Sequence, residues 1–455
     1  MSDFITMSSR RAISVTVAIL IILVIIFAGI AVYFATKPPT VIEKPVEVEK
    51  PVEKIVEKPV VVENEIRIGS TQPLTGAFGP AGKNAAVGLV MAQEYINTVK
   101  GGVYVKELDK KLPIRVLLYD DRTDPSKAKS LVEKLVIDDK VHALVAPFSS
   151  LLTLAEAPVA EQYKVPMVSY AAWSDKIYTQ GFKYIFNSYI LASKEGIMNM
   201  DVLDALNKKL TPPFKTIAII YSQDAYASVV AEGWKKRAQE LGYEVVYYEG
   251  VPVELLDYSS IILKLKEVQP DVVCWNTNNV AANIKIVQQM RDLDFNPKMI
   301  FTSQISDFAD RVIPELGDLA NGLVGHAHSP WVALPGIEDA ANWFFKEAEA
   351  RGLGKAVWPG TVGTTMGAFD NILLIADAIE RAGSLDSSAI RDALAATDGM
   401  FPAGPIKFSE NGVNTKRAIL LVQFQEGEWK IIYPEELYTV SMNPSPILYP
   451  KPAWP

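Results

Sequence analysis

Between Val141 and Ser174 the chain reads VHALVAPFSSLLTLAEAPVAEQYKVPMVSYAAWS, a stretch compatible with few folds. HALVA and VPMVSY are short apolar runs suited to strands, and TLAEAPVAEQYK between them suits a helix. One strand-helix-strand unit makes its two strands parallel neighbours, which brings the loops PFSS and AAWS to the same edge of a sheet. Open α/β sheets bind ligands along that edge. Ser149 and Ser150 fall where strand passes into helix, and there unpaired backbone N–H groups and the helix dipole favour an anion such as a carboxylate. Serine is equally a preferred N-cap, so capping and ligand binding both stay open for this pair.

The same alternation runs through most of the chain. IRIGSTQ reads as a strand followed by the loop PLTGAFGPAG, and Val87, Met91 and Tyr95 give Asn84 to Val99 a helical spacing. LPIRVLLYDD is the next strand, after which Asp124 and Pro125 open a helix as N-cap and first helical residue. The acidic group Asp120, Asp121 and Asp124 is therefore read as a cap and a solvated strand end rather than a metal site. After TPPF a second series begins: KTIAIIYS, a helix from Ala225 to Leu241, YEVVYYEG, a helix through Ile261 to Val268, DVVCWN, a helix through Ile284 to Met290, and KMIFTS. Helical stretches at Asp339 to Ala350 and Gly363 to Ala382 follow, and then AILLVQFQ and WKIIYP, a strand pair joined by EGE. The expected fold class is α/β, with two doubly wound parallel-sheet lobes between which the chain passes more than once.

The first part of the chain is different. Residues 12–36 carry no charge, long enough to cross a bilayer as a helix, and Arg10 and Arg11 precede them. The positive-inside rule then puts residues 1–11 in the cytoplasm and everything after Lys37 outside. The run exceeds a signal-peptide core and no compact cleavage site follows it, so an uncleaved single-pass anchor is expected over a removed signal. SRRAIS is similar to a twin-arginine signal, but two arginines alone do not specify one. Residues 37–64 repeat EKPV at Glu43, Glu49 and Glu57, and their prolines and alternating charges suit a semi-extended tether. At ~3.1 Å per residue such a tether reaches roughly 80 Å.

Several classes are disfavoured. A formal charge of −8 without a basic stripe gives no footprint for nucleic acid. The one cysteine, Cys274, rules out an internal disulfide and sits in an apolar strand run rather than beside a base. No phosphate-binding loop, nucleophile elbow or zinc-protease motif is present, and the chain has three histidines. Neither an enzyme nor a cofactor is expected.

Several segments together resemble the leucine/isoleucine/valine-type solute-binding proteins of ABC importers: IGSTQPLTGAFGPAGKNAAVGLVMAQEYIN, LLYDDRTDPSKA, the paired serines, VPMVSYAA, IAIIYSQDAYA and DLANGL. The resemblance runs from about Glu65 to the C-terminus, which ends in YPKPAW followed by a final proline. It implies the type I periplasmic-binding-protein fold, with residues 65–190 and 328–403 in one lobe and residues 191–327 and 404–455 in the other. Three hinge passages would lie near Ile190 to Ser193, Ala327 to Ser329 and Gly404 to Phe408. The implied partners are a small solute, ABC permease and ATPase subunits, and the membrane through the N-terminal helix. The alternative is a ligand-sensing ectodomain, which would call for a cytoplasmic effector where this sequence offers Met1 to Arg11.

By the same resemblance Ser149, Ser150, Ala171, Ala172 and Trp173 would hold a ligand carboxylate, and Tyr226 in QDAYA would pack on the ligand. Asn276, after a strand of the second lobe, and Gln304 complete the candidate set. Amino-acid binders of this family hold the ammonium with two acidic side chains, but Ala192 and Gln304 stand at the matching positions here. Trp173 narrows the pocket and offers a flat apolar wall with one N–H donor. Glu195 and Asp224 are the nearest acids that could substitute. The expected solute is a carboxylate or amide with an apolar or aromatic body rather than a zwitterion. His326 and His328, in GHAHSP, have the spacing of two metal ligands on one strand face, but the sequence shows no third ligand and no metal is expected.

Overall fold

The computed structural model describes residues 64–353 and 361–455, all within the unit Glu63–Pro455. The anchor expected at 12–36 and nearly all of the tether lie outside the described residues. Among the described residues no helix is long and apolar enough to cross a membrane.

In the first lobe β1 (Ile66–Gln72), β2 (Ile114–Asp120), β3 (Ala143–Val145), β4 (Met167–Ser169) and β5 (Ile185–Asn187) form a parallel sheet in the order β2-β1-β3-β4-β5. The helices α1 (Gly79–Glu94), α2 (Pro125–Ile137) and α3 (Ser150–Tyr163) make the crossovers. α1 begins earlier than the apolar spacing indicates, because Pro80 is well placed in a first turn and the glycine-rich loop itself becomes helical. Asp124 caps α2 by accepting from the backbone N–H groups of Ser126 and Lys127.

Both faces of the central strands are covered, which is why β3 and β4, ALV and MVS, are buried throughout. Ile66, Ile68, Val145 and Val168 face one way, against α1, α9 (Glu338–Ala350) and α10 (Met366–Ala382), with Phe344 and Phe369 at the centre. Leu144 and Met167 face the other way, onto Val132 and Leu135 of α2 and Ala157 and Ala160 of α3.

The second lobe repeats the plan, with α6 (Ser259–Val268), α7 (Val280–Asp292) and α8 (Ala309–Leu316) among its helices. Its strands β6 (Thr216–Ser222), β7 (Glu244–Val251), β8 (Val272–Asn276), β9 (Met299–Thr302) and β10 (Val324–Ala327) are parallel in the order β7-β6-β8-β9-β10. β13 (Leu420–Gln425) and β14 (Glu428–Tyr433) then extend the sheet antiparallel beyond β10. Cys274 is wholly buried on β8 and burial pushes its thiol pKa up, as for a structural strand residue. On one face α4 (Ala192–Asn207) crosses α5 (Ala227–Glu240) so closely that a Cβ on Gly196 would lie 2.5 Å from the Val230 carbonyl oxygen.

The chain leaves the first sheet after β5 and enters α4, and it returns after β10. The third passage lies later than Gly404 to Phe408. A hairpin of β11 (Asp398–Phe401) and β12 (Gly404–Lys407) stays with the first lobe. Phe408 packs on Phe186 with ring centroids 5.0 Å apart, and Val413 bridges Asn187. Only at Leu420, paired with Ala327, does the chain join the second sheet. A boundary at 403/404 would divide this hairpin. Its apolar side, Phe401, Ala403, Ile406 and Phe408, fills the first core and holds it there.

Candidate functional site

Both sheets reverse strand order at equivalent places, between β1 and β3 in the first lobe and between β6 and β8 in the second. A reversal sends adjacent crossovers to opposite faces and opens a crevice at the carboxyl ends of the strands. Gln72, the last residue of β1, is wholly buried there and accepts from the Phe148 N–H at 3.2 Å and the Tyr170 hydroxyl at 3.1 Å. It therefore ties together the loops that follow β3 and β4.

Ser149 occupies the N-cap position of α3, yet its side chain makes no capping bond. The Ser150 hydroxyl accepts from the Ser174 N–H at 3.1 Å and joins the two loops directly. Ala172, which is buried, donates its N–H to the Ser169 hydroxyl at 2.9 Å, and Ala171 beside it is half-buried. The indole N–H of Trp173 donates to the Tyr170 carbonyl at 3.0 Å, so the donor anticipated for a solute is already engaged and the ring remains as a wall.

That ring is the centre of an aromatic cluster. Trp173 stacks on Tyr189 at 6.1 Å and lies 4.6 Å from His328 and 5.7 Å from Tyr226, centroid to centroid. Tyr226 belongs to the second lobe, at the N-terminus of α5, so its contact with Trp173 spans the two lobes. Its hydroxyl donates to Glu195 Oε1 and Oε2 at 2.8 and 2.9 Å and accepts from Gln304 Nε2 at 2.8 Å. Burial and the neighbouring Glu195 carboxylate both raise the Tyr226 pKa, so the phenol stays a donor.

Glu195 is the functional residue whose place the sequence left open. It sits in the first turn of α4 with no exposed surface, and burial pushes its carboxyl up to about 7 against the pull of His326 and the Tyr226 bond. Asp224 is not available in this way. It accepts from the N–H groups of Tyr226 and Ala227 at 2.9 and 2.8 Å and from the Ser222 hydroxyl at 2.6 Å. Ala192 is part of the apolar core behind α4.

Asn276, at the end of β8, is buried with neither amide atom hydrogen-bonded. The structure thus joins Trp173, Tyr226 and Gln304 in one network, whereas Ser150 is bound to the loop at Ser174.

Asp307, from the loop after β9, is the third group missing beside the two histidines in the sequence. Its Oδ2 lies 3.8 Å from His326 Nε2 and 3.9 Å from His328 Nε2. Burial raises the Asp307 pKa, opposed by His326. For His326 burial acts downward, but Asp307 and Glu195 outweigh it and the net shift is upward. His328 shifts well down through burial and the charges of His326 and Arg417.

Arg417, in the third passage, is 3% exposed, stands 4.2 Å from the face of Tyr189 and makes no well-formed hydrogen bond. Nothing in the sequence around Arg417 signals this position; the alternating strand pattern begins only after it. Separate open hollows of about 570 and 630 Å³ lie around Tyr95 and Glu380, and none of the aromatic-cluster residues lines them.

The arrangement packs aromatic side chains of two lobes against each other beside a few convergent buried polar groups. Residues 65–428 match the family model described as periplasmic binding protein. A Leu/Ile/Val-binding protein homolog 7 of Brucella abortus (strain 2308) is 26% identical over 386 residues, which cover 82% of this chain and 92% of the relative. Among solved structures, the branched-chain amino acid transporter substrate-binding protein LivJ of Streptococcus pneumoniae, in complex with isoleucine, aligns with a TM-score of 0.68 at 21% identity, over 81% of this chain and 100% of that one. A solute-binding protein of an ABC transporter from R. palustris, in complex with benzoate, aligns with a TM-score of 0.64 at 18% identity, over 81% and 95%. Fold and family match agree: the chain belongs to the periplasmic binding protein family.

Proposed function

We propose that this protein is the extracytoplasmic receptor of an ABC importer and closes its two lobes on a small carboxylate or amide with an apolar or aromatic body. The observation that carries the reading is the contact of Trp173 from the first lobe with Tyr226 from the second, 5.7 Å apart, beside the buried Glu195 and Gln304. The two rings touch in this arrangement, so a ring-shaped or branched apolar group would enter between them as the lobes part, and its polar end would require donors such as the N–H groups at the start of α3. Ser149, whose hydroxyl makes no cap bond, and Ser150 stand at that start. Neighbours of the same fold hold isoleucine in one case and benzoate in another, so the architecture accommodates both classes. The benzoate type is favoured here because Glu195 already receives the Tyr226 hydroxyl and faces His326, while Ala192 and Gln304 provide no further carboxylate. Burying an ammonium without a free anion is costly, about 3–5 kcal/mol when one partner of an ion pair is missing.

Delivery to permease and ATPase subunits and attachment through residues 12–36 belong to the same proposal. Calorimetry and thermal shift on the full-length chain, with benzoates, aliphatic carboxylates, amides and the three branched-chain amino acids, test it. A bound ligand at 100 times its dissociation constant should stabilise the protein by about 2.7 kcal/mol. Micromolar binding of leucine would show that Glu195 serves an ammonium and would overturn the choice of solute class. Chemical turnover of the bound compound would overturn the receptor reading itself.

A further inference from the structure

We propose that Asp307, His326 and His328 form a binding site for a divalent transition-metal ion beside the solute cleft, with zinc as the fitting species. His326 is the penultimate residue of β10 and His328 follows just past its end, two residues on, and β9 runs parallel to β10, so the loop after β9 brings Asp307 across from both imidazoles. One ligand atom from each of the three residues lies within 4.8 Å of the others. The two imidazole Nε2 atoms stand 3.8 and 3.9 Å from one carboxylate oxygen. Ligands of a tetrahedral zinc ion lie about 3.4 Å apart at the usual bond lengths. A modest rotation of Asp307, whose Oδ1 makes no hydrogen bond, closes much of that difference.

The second observation is the set of unused atoms. Both nitrogens of His328 and Nε2 of His326 are buried without a hydrogen-bond partner, and so is Asp307 Oδ1. Buried polar groups are normally paired, so several unpaired ones on three neighbouring side chains call for an explanation. The surroundings also orient the His326 ring. His326 Nδ1 lies 3.1 Å from Asn199 Oδ1, with Glu195 Oε1 at 3.7 Å, so a proton on Nδ1 has acceptors there and Nε2 is the nitrogen that faces Asp307. A ligating imidazole that donates its other N–H to a carbonyl or carboxylate is the usual outer shell of a metal site.

A simple ion pair of protonated His326 with Asp307 explains less. At 3.8 Å it makes no hydrogen bond, and it leaves His328 unused. Two imidazoles and one carboxylate favour zinc, cobalt or nickel over magnesium and calcium, which take oxygen ligands. Three protein ligands also leave a coordination position for a donor atom of the solute. The metal site rests on ligand placement alone and holds or fails whatever the organic solute proves to be.

The test uses the full-length chain in detergent, without a polyhistidine tag and stripped with a chelator. Titration with Co²⁺ should saturate at one equivalent with visible absorption bands that Zn²⁺ abolishes, and Mg²⁺ and Ca²⁺ should not compete. Asp307→Asn and His328→Asn should each weaken Zn²⁺ binding at least tenfold in calorimetry, with circular dichroism reporting that each variant is folded. His142→Asn, remote in the first lobe, should leave it unchanged. Absence of both cobalt bands and micromolar Zn²⁺ binding in the unaltered protein would overturn the site. So would Zn²⁺ affinity retained in the folded Asp307→Asn variant.

Discussion

Replacing Asp370 by asparagine should stabilise this protein, and only above a certain pH. Asp370 is wholly buried on α10, where Oδ2 accepts the Ala403 N–H at 2.7 Å and Oδ1 meets no donor. Burial pushes its carboxyl up to about 7, against the pull of Arg417 and the Ala403 bond. In the unfolded chain the group keeps an ordinary value of about 3.9. The folded pKa is the higher of the two, so the fold binds an extra proton between about pH 4 and pH 7. Stability is therefore full below that window and falls as the pH rises through it. About 3 pKa units amount to about 4 kcal/mol by pH 8. Asp370→Asn keeps a carbonyl for Ala403 and cannot ionise, so it should gain up to about 4 kcal/mol at pH 8 and almost nothing at pH 4. For a unit of this size the unfolding entropy is ~0.8 kcal/mol per kelvin, so the melting temperature should rise by about 5 °C at pH 8. Scanning calorimetry of both proteins from pH 4 to pH 8 reads the effect. A variant less stable than the parent at pH 8, with a gap that closes towards pH 4, would mean that Arg417 holds Asp370 ionised in the fold.

Two further substitutions test packing and the loop junction. Gly196→Ala places a Cβ 2.5 Å from the Val230 carbonyl oxygen, so α4 and α5 must separate and Glu195 must move with them. We expect a loss of about 1–3 kcal/mol in denaturant unfolding together with weaker solute binding, and unchanged stability would show that the helices adjust freely. Ser150→Ala removes the acceptor of the Ser174 N–H, so it should cost about 1 kcal/mol of stability and weaken binding of a carboxylate solute by about 1–3 kcal/mol. Affinity unchanged while stability falls would assign Ser150 to loop closure alone.

Local chemistry made much of the fold legible. β1, β6 and β8 follow from short apolar runs bounded by turn residues, and Asp124 with Pro125 marks the start of α2, because such signals act over a few residues. The start of α1 was less legible, since its glycines read as loop. The third passage was misplaced because β11 and β12 look like any short strand pair. What holds them to the first lobe is the burial of Phe401 and Phe408, which no neighbouring residue announces.

At the site the division falls along the same line. The sequence by itself determined the strand-to-helix loops, hence the positions of Ser149, Trp173 and Tyr226 at sheet edges, and it marked His326 and His328 as a pair on one face. Only the tertiary structure decided that Gln304 and Glu195, 109 residues apart by number, meet at the hydroxyl of Tyr226. It likewise decided that the Trp173 N–H is spent on Tyr170, that Asp224 is consumed as a cap and that Asp307 faces the two histidines. Which atoms are satisfied and which are left free depends on groups brought together by packing across two sheets and three passages. Hydrogen-bond saturation and desolvation are properties of that packed environment, and residue order carries no direct record of them.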